Sequence, residues 1–261
     1  MKLTNKTILI TGGATGIGFS LAKVLALQNN RVIIAGRSQH TLEHAQKEIP
    51  GLEFVRADIS NPEQIDELFY ELKKRNIVPD TLFNNAGVIE VWDVLKAPLS
   101  AQAIFNKLNT NLAGPVAMTN HFIRQADTRN QNYIINITSE AAIMPVPVLP
   151  LYSSSKAGLS VFTKALRMQL KGSSFIVVEI IPPAVETKMT TEDLNNTTKL
   201  VQPIHFAKDL IKQIEAGKLQ YAPSANAKIL HFLRRVSPKT GLKIIDKMSR
   251  KQLLGKARQR L

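Results

Sequence analysis

The chain has 261 residues, 44% of them apolar, no cysteine and a formal charge of +14. That size suits one α/β domain with a sizeable core, and the lack of cysteine excludes a disulfide framework, a thiol nucleophile and a Cys-ligated metal. No apolar run approaches the roughly 20 residues needed to span a bilayer, and the first residues enter a strand pattern with no signal-peptide pattern, so a cytoplasmic protein is expected.

Strand and helix patterns alternate up to about residue 223. Ile8-Leu9-Ile10 reads as a buried strand and runs into Thr11-Gly12-Gly13-Ala14-Thr15-Gly16-Ile17-Gly18, followed by a stretch rich in helix formers. Strands are predicted over Thr7–Ile10, Arg31–Ala35, Glu53–Arg56, Thr81–Asn84, Tyr133–Ile137, Phe175–Ile181 and Leu219–Ala222. Helices are predicted over 16–29, 38–48, 61–75, 101–126, 151–171 and 203–216. Asn61 followed by Pro62 marks a good helix start, a capping side chain before a first-turn proline. The alternation predicts an α/β fold with a parallel, doubly wound sheet. Residues 1–227 form the expected α/β domain and 228–261 a basic extension.

Three strand ends carry candidate site residues. The first is the Gly-rich turn, since strand, Gly-rich turn and helix deliver a pyrophosphate to a helix N-terminus. Gly12 can turn tightly, Gly16 admits a ligand, and Gly18 lets helix and strand approach. The second is Leu82-Phe83-Asn84-Asn85-Ala86-Gly87, and the third is Tyr133-Ile134-Ile135-Asn136-Ile137-Thr138-Ser139. Shortly after comes Tyr152-Ser153-Ser154-Ser155-Lys156, which puts a phenol and an amine on one face of a helix. An ammonium beside a phenol favours the phenolate and lowers the Tyr pKa from about 10, which suits proton transfer. His40 and His44 have a metal-compatible spacing, but no acidic partner completes a ligand set, so no metal site is expected.

Taken together, these motifs resemble the short-chain dehydrogenase/reductase family. Thr11 to Gly18 match its Thr-Gly-x3-Gly-Ile-Gly, Asn84 to Gly87 its Asn-Asn-Ala-Gly, and Tyr152 with Lys156 its Tyr-x3-Lys. Asn111 and Ser139 match its catalytic Asn and Ser. Within the family the chain most resembles the DltE-like bacterial oxidoreductases. The resemblance implies a Rossmann-like three-layer sandwich, and hydride exchange between a nicotinamide and a carbonyl or secondary alcohol. It further implies that Tyr152 passes the proton, Ser139 hydrogen-bonds the reacting oxygen, Lys156 binds ribose hydroxyls, and Asn111 holds the Lys156 region through backbone and water contacts. Cofactor contacts are expected from Gly12, Thr15, Gly16, Ile17, Gly18, Asn85, Ala86, Gly87, Tyr152, Lys156 and Thr187. Asp58 and Ile59, after the third strand, are expected at the adenine, although Asp58 also reads as a turn residue. The family's Pro-Gly-x3-Thr is Pro182-Pro183-Ala184-Val185-Glu186-Thr187 here, so a proline of fixed φ replaces a flexible glycine at the base of a substrate lid over 188–202.

The second strand ends in Arg37 with no acidic residue, which suits a 2′-phosphate and favours NADP(H), with NAD(H) the alternative if Arg37 faces solvent or stacks on adenine. Ala141 to Pro150 is apolar and Pro-stiffened, and Ile89, Val91 and Trp92 follow the Asn-Asn-Ala-Gly turn. They read either as the wall of an apolar substrate site or as packing against the neighbouring helix or a subunit interface.

Residues 228–261 hold eleven Lys and Arg and one acid, Asp246, so most of the charge lies there. Leu230, Leu233, Val236, Ile244, Ile245 and Met248 have helical spacing, and Pro238 and Gly241 are expected to separate two short helices. Two readings stand. The apolar face enters an anionic membrane surface at the inner face of the membrane, or it docks on the parent domain or a second subunit. Nucleic acid is not expected, because no binding motif or aromatic interleaving accompanies the charge. The leading function is an NADP(H)-dependent reductase or dehydrogenase of a small carbonyl or alcohol, assembled as a homodimer or homotetramer as the family resemblance implies. The alternative is a dinucleotide-binding sensor or scaffold recruited by its tail.

Overall fold

The apolar runs become a seven-stranded sheet in the computed structural model, which describes residues 2–193 and 200–247. Its strands are β1 (Thr7–Thr11), β2 (Arg31–Gly36), β3 (Glu53–Arg56), β4 (Thr81–Asn84), β5 (Asn132–Ile137), β6 (Phe175–Ile180) and β7 (Gln220–Tyr221). The helices are α1 (Gly16–Ala26), α2 (Gln39–Glu48), α3 (Pro62–Lys74), α4 (Ala101–Leu108), α5 (Gly114–Gln125), α6 (Pro150–Gln169), α7 (Lys188–Asp193), α8 (Pro203–Glu215) and α9 (Ala225–Val236). The strand order is β3-β2-β1-β4-β5-β6-β7 and every pairing is parallel. Parallel strands need crossover helices, so both faces of the sheet are covered.

Strand alternation sorts the core into two layers. Ile8, Ile10 and Ile34 pack with Leu21, Leu25, Leu42 and Leu210, from α1, α2 and α8. Leu9, Ile33 and Leu82 pack on the opposite face with Leu68, Phe69, Met118 and Phe122, from α3 and α5. Each such large side chain contributes about 1.5–3 kcal/mol on burial. The result is the doubly wound three-layer sandwich. After β3 the chain returns to β4 beside β1, so the winding reverses there and leaves a crevice at the carboxyl ends of β1 and β4.

Beneath that crevice runs a buried polar ladder. Asn84 Nδ2 donates to Asn136 Oδ1 at 2.8 Å and to Thr119 Oγ1 at 3.0 Å, and Asn136 Nδ2 donates to Thr163 Oγ1 at 2.9 Å. These bonds tie β4, β5, α5 and α6 together, while the buried Asn84 Oδ1 has no partner among the described residues.

Two expectations are corrected. The single helix over 101–126 is two helices, α4 and α5, joined by a π-helical turn at Asn109–Ala113. Pro115 lacks the N–H that would close the ordinary turn on Asn111, and the Gly114 N–H reaches back to Asn109 instead. In the tail, Ser237 alone makes the break: Pro238 starts the second helix, 238–247, and Gly241 lies inside it. The expected domain boundary at 227/228 falls within α9. The two helices form a hairpin whose Ala227, Leu230, Leu233 and Ile245 pack on Ile143, Met144 and Ile181. Met144 occupies the space a side chain at Gly241 would need, with its Cε 2.5 Å from that position. Glu140 accepts a hydrogen bond from Ser224, which also caps α9 by accepting from the Ala227 N–H. Met248 lies outside the described residues.

Candidate active site

The Gly-rich turn is built by close approach. Gly12 and Gly16 have φ of 63° and 55°, in the left-handed region that favours glycine. A Cβ on Gly12 would lie 2.9 Å from Ala86 Cα. One on Gly18 would lie 2.3 Å from the Gly12 carbonyl oxygen and 2.5 Å from Asn85 Nδ2. The turn is stitched to the end of β4: Asn85 Nδ2 donates to the carbonyls of Thr11 and Gly12, while the N–H groups of Asn85 and Ala86 donate to Thr11 Oγ1. Thr15, the residue before α1, makes no side-chain cap, which leaves the helix's first N–H groups facing the crevice.

That crevice holds a cavity of about 600 Å³. Gly12, Thr15, Gly16 and Ile17 form one end, with Asn85, Ala86 and Gly87 beside them. Arg37, Asp58 and Ile59 line it beyond β2 and β3, and Tyr152, Lys156 and Thr187 line it near β5 and β6. Gly18, Asn111 and Ser139 stand outside its wall. Gly18 serves helix–strand packing, and the Asn85 side chain is committed to the turn. Asp58 Oδ1 accepts from both the N–H and hydroxyl of Ser60, so its carboxylate is held by the turn while lining the cavity. Met189 of the expected lid lines it too, as do Ser38, Thr41, Val88 and Glu186, for which no such role was expected. Ser38 and Thr41 were legible as the capped start of the helix after Arg37; the others carry no motif of their own.

The lid base is held by backbone pairing. Val185 bridges Val201, with the Glu186 N–H on the Val201 carbonyl and the Val201 N–H on the Ala184 carbonyl. Thr187 sits against the Gly-rich turn, its Cγ2 3.0 Å from where a Gly16 Cβ would be. The part of the expected lid over 194–199 lies outside the described residues.

At the β5 and α6 end, Tyr152 and Lys156 are one turn apart, with the ammonium nitrogen 5.9 Å from the ring centre. Lys156 is buried and donates to the Ile137 carbonyl at 2.9 Å. Burial pushes its pKa from 10.5 down to about 8. Burial also pushes the Tyr152 phenol above its ordinary value, and the Ser139 hydroxyl partly offsets this. The net direction is opposite to the one expected from the Tyr-Lys spacing. The same desolvation that disfavours the phenolate disfavours the ammonium, and that ammonium is turned to a carbonyl.

Ser139 Oγ accepts from the Ala141 N–H, which orients its lone pair and turns the O–H toward the Tyr152 phenol oxygen. Asn111, on the π-helical turn, does not reach Lys156. Its Oδ1 accepts from the Val88 N–H and its Nδ2 donates to the Val88 carbonyl, both at 2.8 Å. Asn111 and Lys156 instead flank Gly87, where a Cβ would meet Asn111 Oδ1 at 3.3 Å and Lys156 Nζ at 3.4 Å. The apolar 141–150 segment is mainly packing: Ile143 and Met144 are buried against the C-terminal hairpin, and the Val148 carbonyl holds the Trp92 N–H.

A doubly wound sheet with a Gly-rich turn, a Tyr-Lys pair and a serine at one crevice defines an oxidoreductase of the alcohol/carbonyl type. Residues 6–198 match the short chain dehydrogenase family, and the chain belongs to it. It is 35% identical over 187 residues to the uncharacterized oxidoreductase DltE of Bacillus subtilis, covering 72% of this chain and 74% of that one. It is 28% identical over 204 residues to the NADPH-dependent pterin aldehyde reductase of Arabidopsis thaliana, covering 76% and 82%. A solved variant of actinorhodin polyketide ketoreductase with NADPH superposes with a TM-score of 0.75 at 25% identity, covering 84% of this chain and 95% of that one.

Proposed function

We propose that the protein is an NADP(H)-dependent oxidoreductase of an apolar carbonyl or secondary-alcohol substrate. The observation that carries this reading is the Tyr152 phenol lining the cavity, hydrogen-bonded by Ser139 from outside its wall, with Lys156 one turn behind. The cavity fits a dinucleotide: the turn leaves no room for a Cβ at Gly12, and the uncapped start of α1 offers N–H groups to a diphosphate. Arg37, with Ser38 and Thr41 at the start of α2, suits a 2′-phosphate, and the named plant reductase is NADPH-dependent.

The bound nicotinamide supplies or accepts the hydride. The chain's own residues handle the proton and the charge. Tyr152, held protonated by its raised pKa, donates to the developing alkoxide in the reductive direction. The Ser139 O–H donates to the same oxygen and stabilises its charge. Lys156 offers its ammonium to ribose hydroxyls, and Asn111 acts through Val88 to fix the segment after β4.

Assembly as a homodimer or homotetramer, and contact of 228–261 with an anionic membrane surface, belong to the same proposal. Fluorescence titration with NADPH and NADH, followed by turnover on a panel of aldehydes and ketones, tests it. Tighter NADPH binding and reduction of apolar carbonyls are expected. Equal affinities would remove the NADP(H) preference, and no turnover on any carbonyl would remove the reductase reading.

A further inference from the structure

The C-terminal hairpin has two apolar faces, and among the described residues only one is docked. Ala227, Leu230 and Leu233 of α9 turn inward onto Ile143, Met144 and Ile181. Ile229, Phe232 and Val236, spaced i, i+3 and i+7, form a separate stripe that is 54%, 63% and 63% exposed. Lys228 and Arg235, seven residues apart and exposed, run along one edge of that stripe. On the following helix, Gly241 and Ile245 turn inward, and exposed Lys239, Lys243 and Lys247 at i, i+4 and i+8 cover the opposite side. Helix α9 contains no acidic residue, and Asp246, half-buried, is the one acid among residues 228–247.

We propose that the outer face of α9 seats on an anionic lipid bilayer. Ile229, Phe232 and Val236 would enter the headgroup–acyl boundary, while the lysines and Arg235 meet lipid phosphates. The inference deepens the membrane part of the proposed function and is independent of the reductase chemistry. Charge decides the occupant. A second copy of this face would bring two strongly cationic surfaces together, which is repulsive. An anionic bilayer offers opposite charge together with a medium for the apolar stripe, which neither water nor a phosphate backbone provides. The inward residues are already engaged, so seating needs no unfolding of the hairpin.

Co-sedimentation of the full chain with vesicles of phosphatidylcholine alone, or mixed with phosphatidylglycerol, tests the assignment. Partitioning onto the mixed vesicles, weakened by high salt and nearly absent on phosphatidylcholine alone, is expected. Ile229→Asp and Phe232→Asp change exposed positions, so each should lower partitioning about 10-fold or more with NADPH affinity unchanged. Undiminished partitioning of both variants would overturn the apolar seat even if Lys239→Gln, Lys243→Gln and Lys247→Gln together abolish binding. Absence of wild-type binding to either vesicle would overturn the membrane reading itself. A change of oligomeric state in Phe232→Asp with vesicle binding intact would assign the face to a second subunit and overturn the proposal. NADPH titration and carbonyl turnover, measured without vesicles, report separately on the reductase reading.

Discussion

Lys156 stands one helical turn beyond Tyr152 with its ammonium nitrogen 5.9 Å from the ring centre, yet it donates its hydrogen bond to the Ile137 carbonyl. Phenol and amine thus share one desolvated pocket without a direct bond. Tyr152 is held as the neutral acid, which is the form a carbonyl reduction consumes. Tyr152→Phe removes only the hydroxyl. It should lower kcat about 100- to 10,000-fold while leaving NADPH affinity and the unfolding midpoint near wild type. Near-wild-type turnover on a true substrate would show that the proton comes from elsewhere.

Lys156 carries an opposite stability signature. Its pKa falls from 10.5 to about 8 on folding. Below about pH 8 both states hold the ammonium and the full burial penalty is present; as pH rises from 8 towards 10.5 the folded chain releases its proton first and the penalty is relieved. The shift corresponds to about 3 kcal/mol at neutral pH, offset by about 1.5–3 kcal/mol for the lost ammonium–carbonyl hydrogen bond at Ile137. Lys156→Met should therefore be inactive yet more stable than wild type by about 0–1.5 kcal/mol at pH 7, with the difference turning against it above pH 8. Denaturant melts at pH 7 and 9.5 check this, and a destabilised Lys156→Met at pH 7 would contradict it.

Carbonyl reduction should fall as pH rises through about 8, because the Lys156 ammonium is lost there. A pH–rate profile of kcat at saturating NADPH reads this directly. A flat profile from pH 7 to 9.5 would mean that bound ligand holds the lysine charged or that the charge is not used.

Arg37 lines the cavity at the start of α2, beside Ser38 and Thr41. Charge-assisted hydrogen bonds to a phosphate contribute about 1.5–3 kcal/mol, so Arg37→Ala should weaken NADPH binding roughly 10- to 100-fold and leave NADH nearly unchanged. Equal loss for both cofactors would place Arg37 on the adenine or in solvent.

Gly241 lets the hairpin close over Met144. Gly241→Leu wedges the two apart and should cost about 1–3 kcal/mol of stability. The KM for a carbonyl substrate should rise while the NADPH dissociation constant holds. Displacement of both together would mean that the wedge spreads into the dinucleotide cavity.

Much of this was legible in the sequence where a residue type is dictated by backbone geometry. Gly12 and Gly16 stand at positive φ, Asn61 and Pro62 start α3, and the strand runs alternate between two core layers. Side-chain partners were less legible. Nothing in the sequence order shows that Asn85 turns to Thr11, that Asn111 grips Val88, or that Asn84, Asn136 and Thr163 form a ladder, because each joins segments distant along the chain. The π-helical turn was hidden because α4 and α5 share one continuous helical pattern, and only Pro115 betrays the interruption. The sign of the Tyr152 shift was missed because spacing reports proximity, whereas desolvation depends on everything packed around the pair.

The hairpin of α9 and 238–247 also joins the outer surface to the segment that follows Ser139. Its inner side backs Met144, and its base, Ser224, grips Glu140 directly after Ser139. Its outer side carries the cations and the bare stripe. A substitution on the outer side that displaces the hairpin would therefore also shift the segment that follows Ser139.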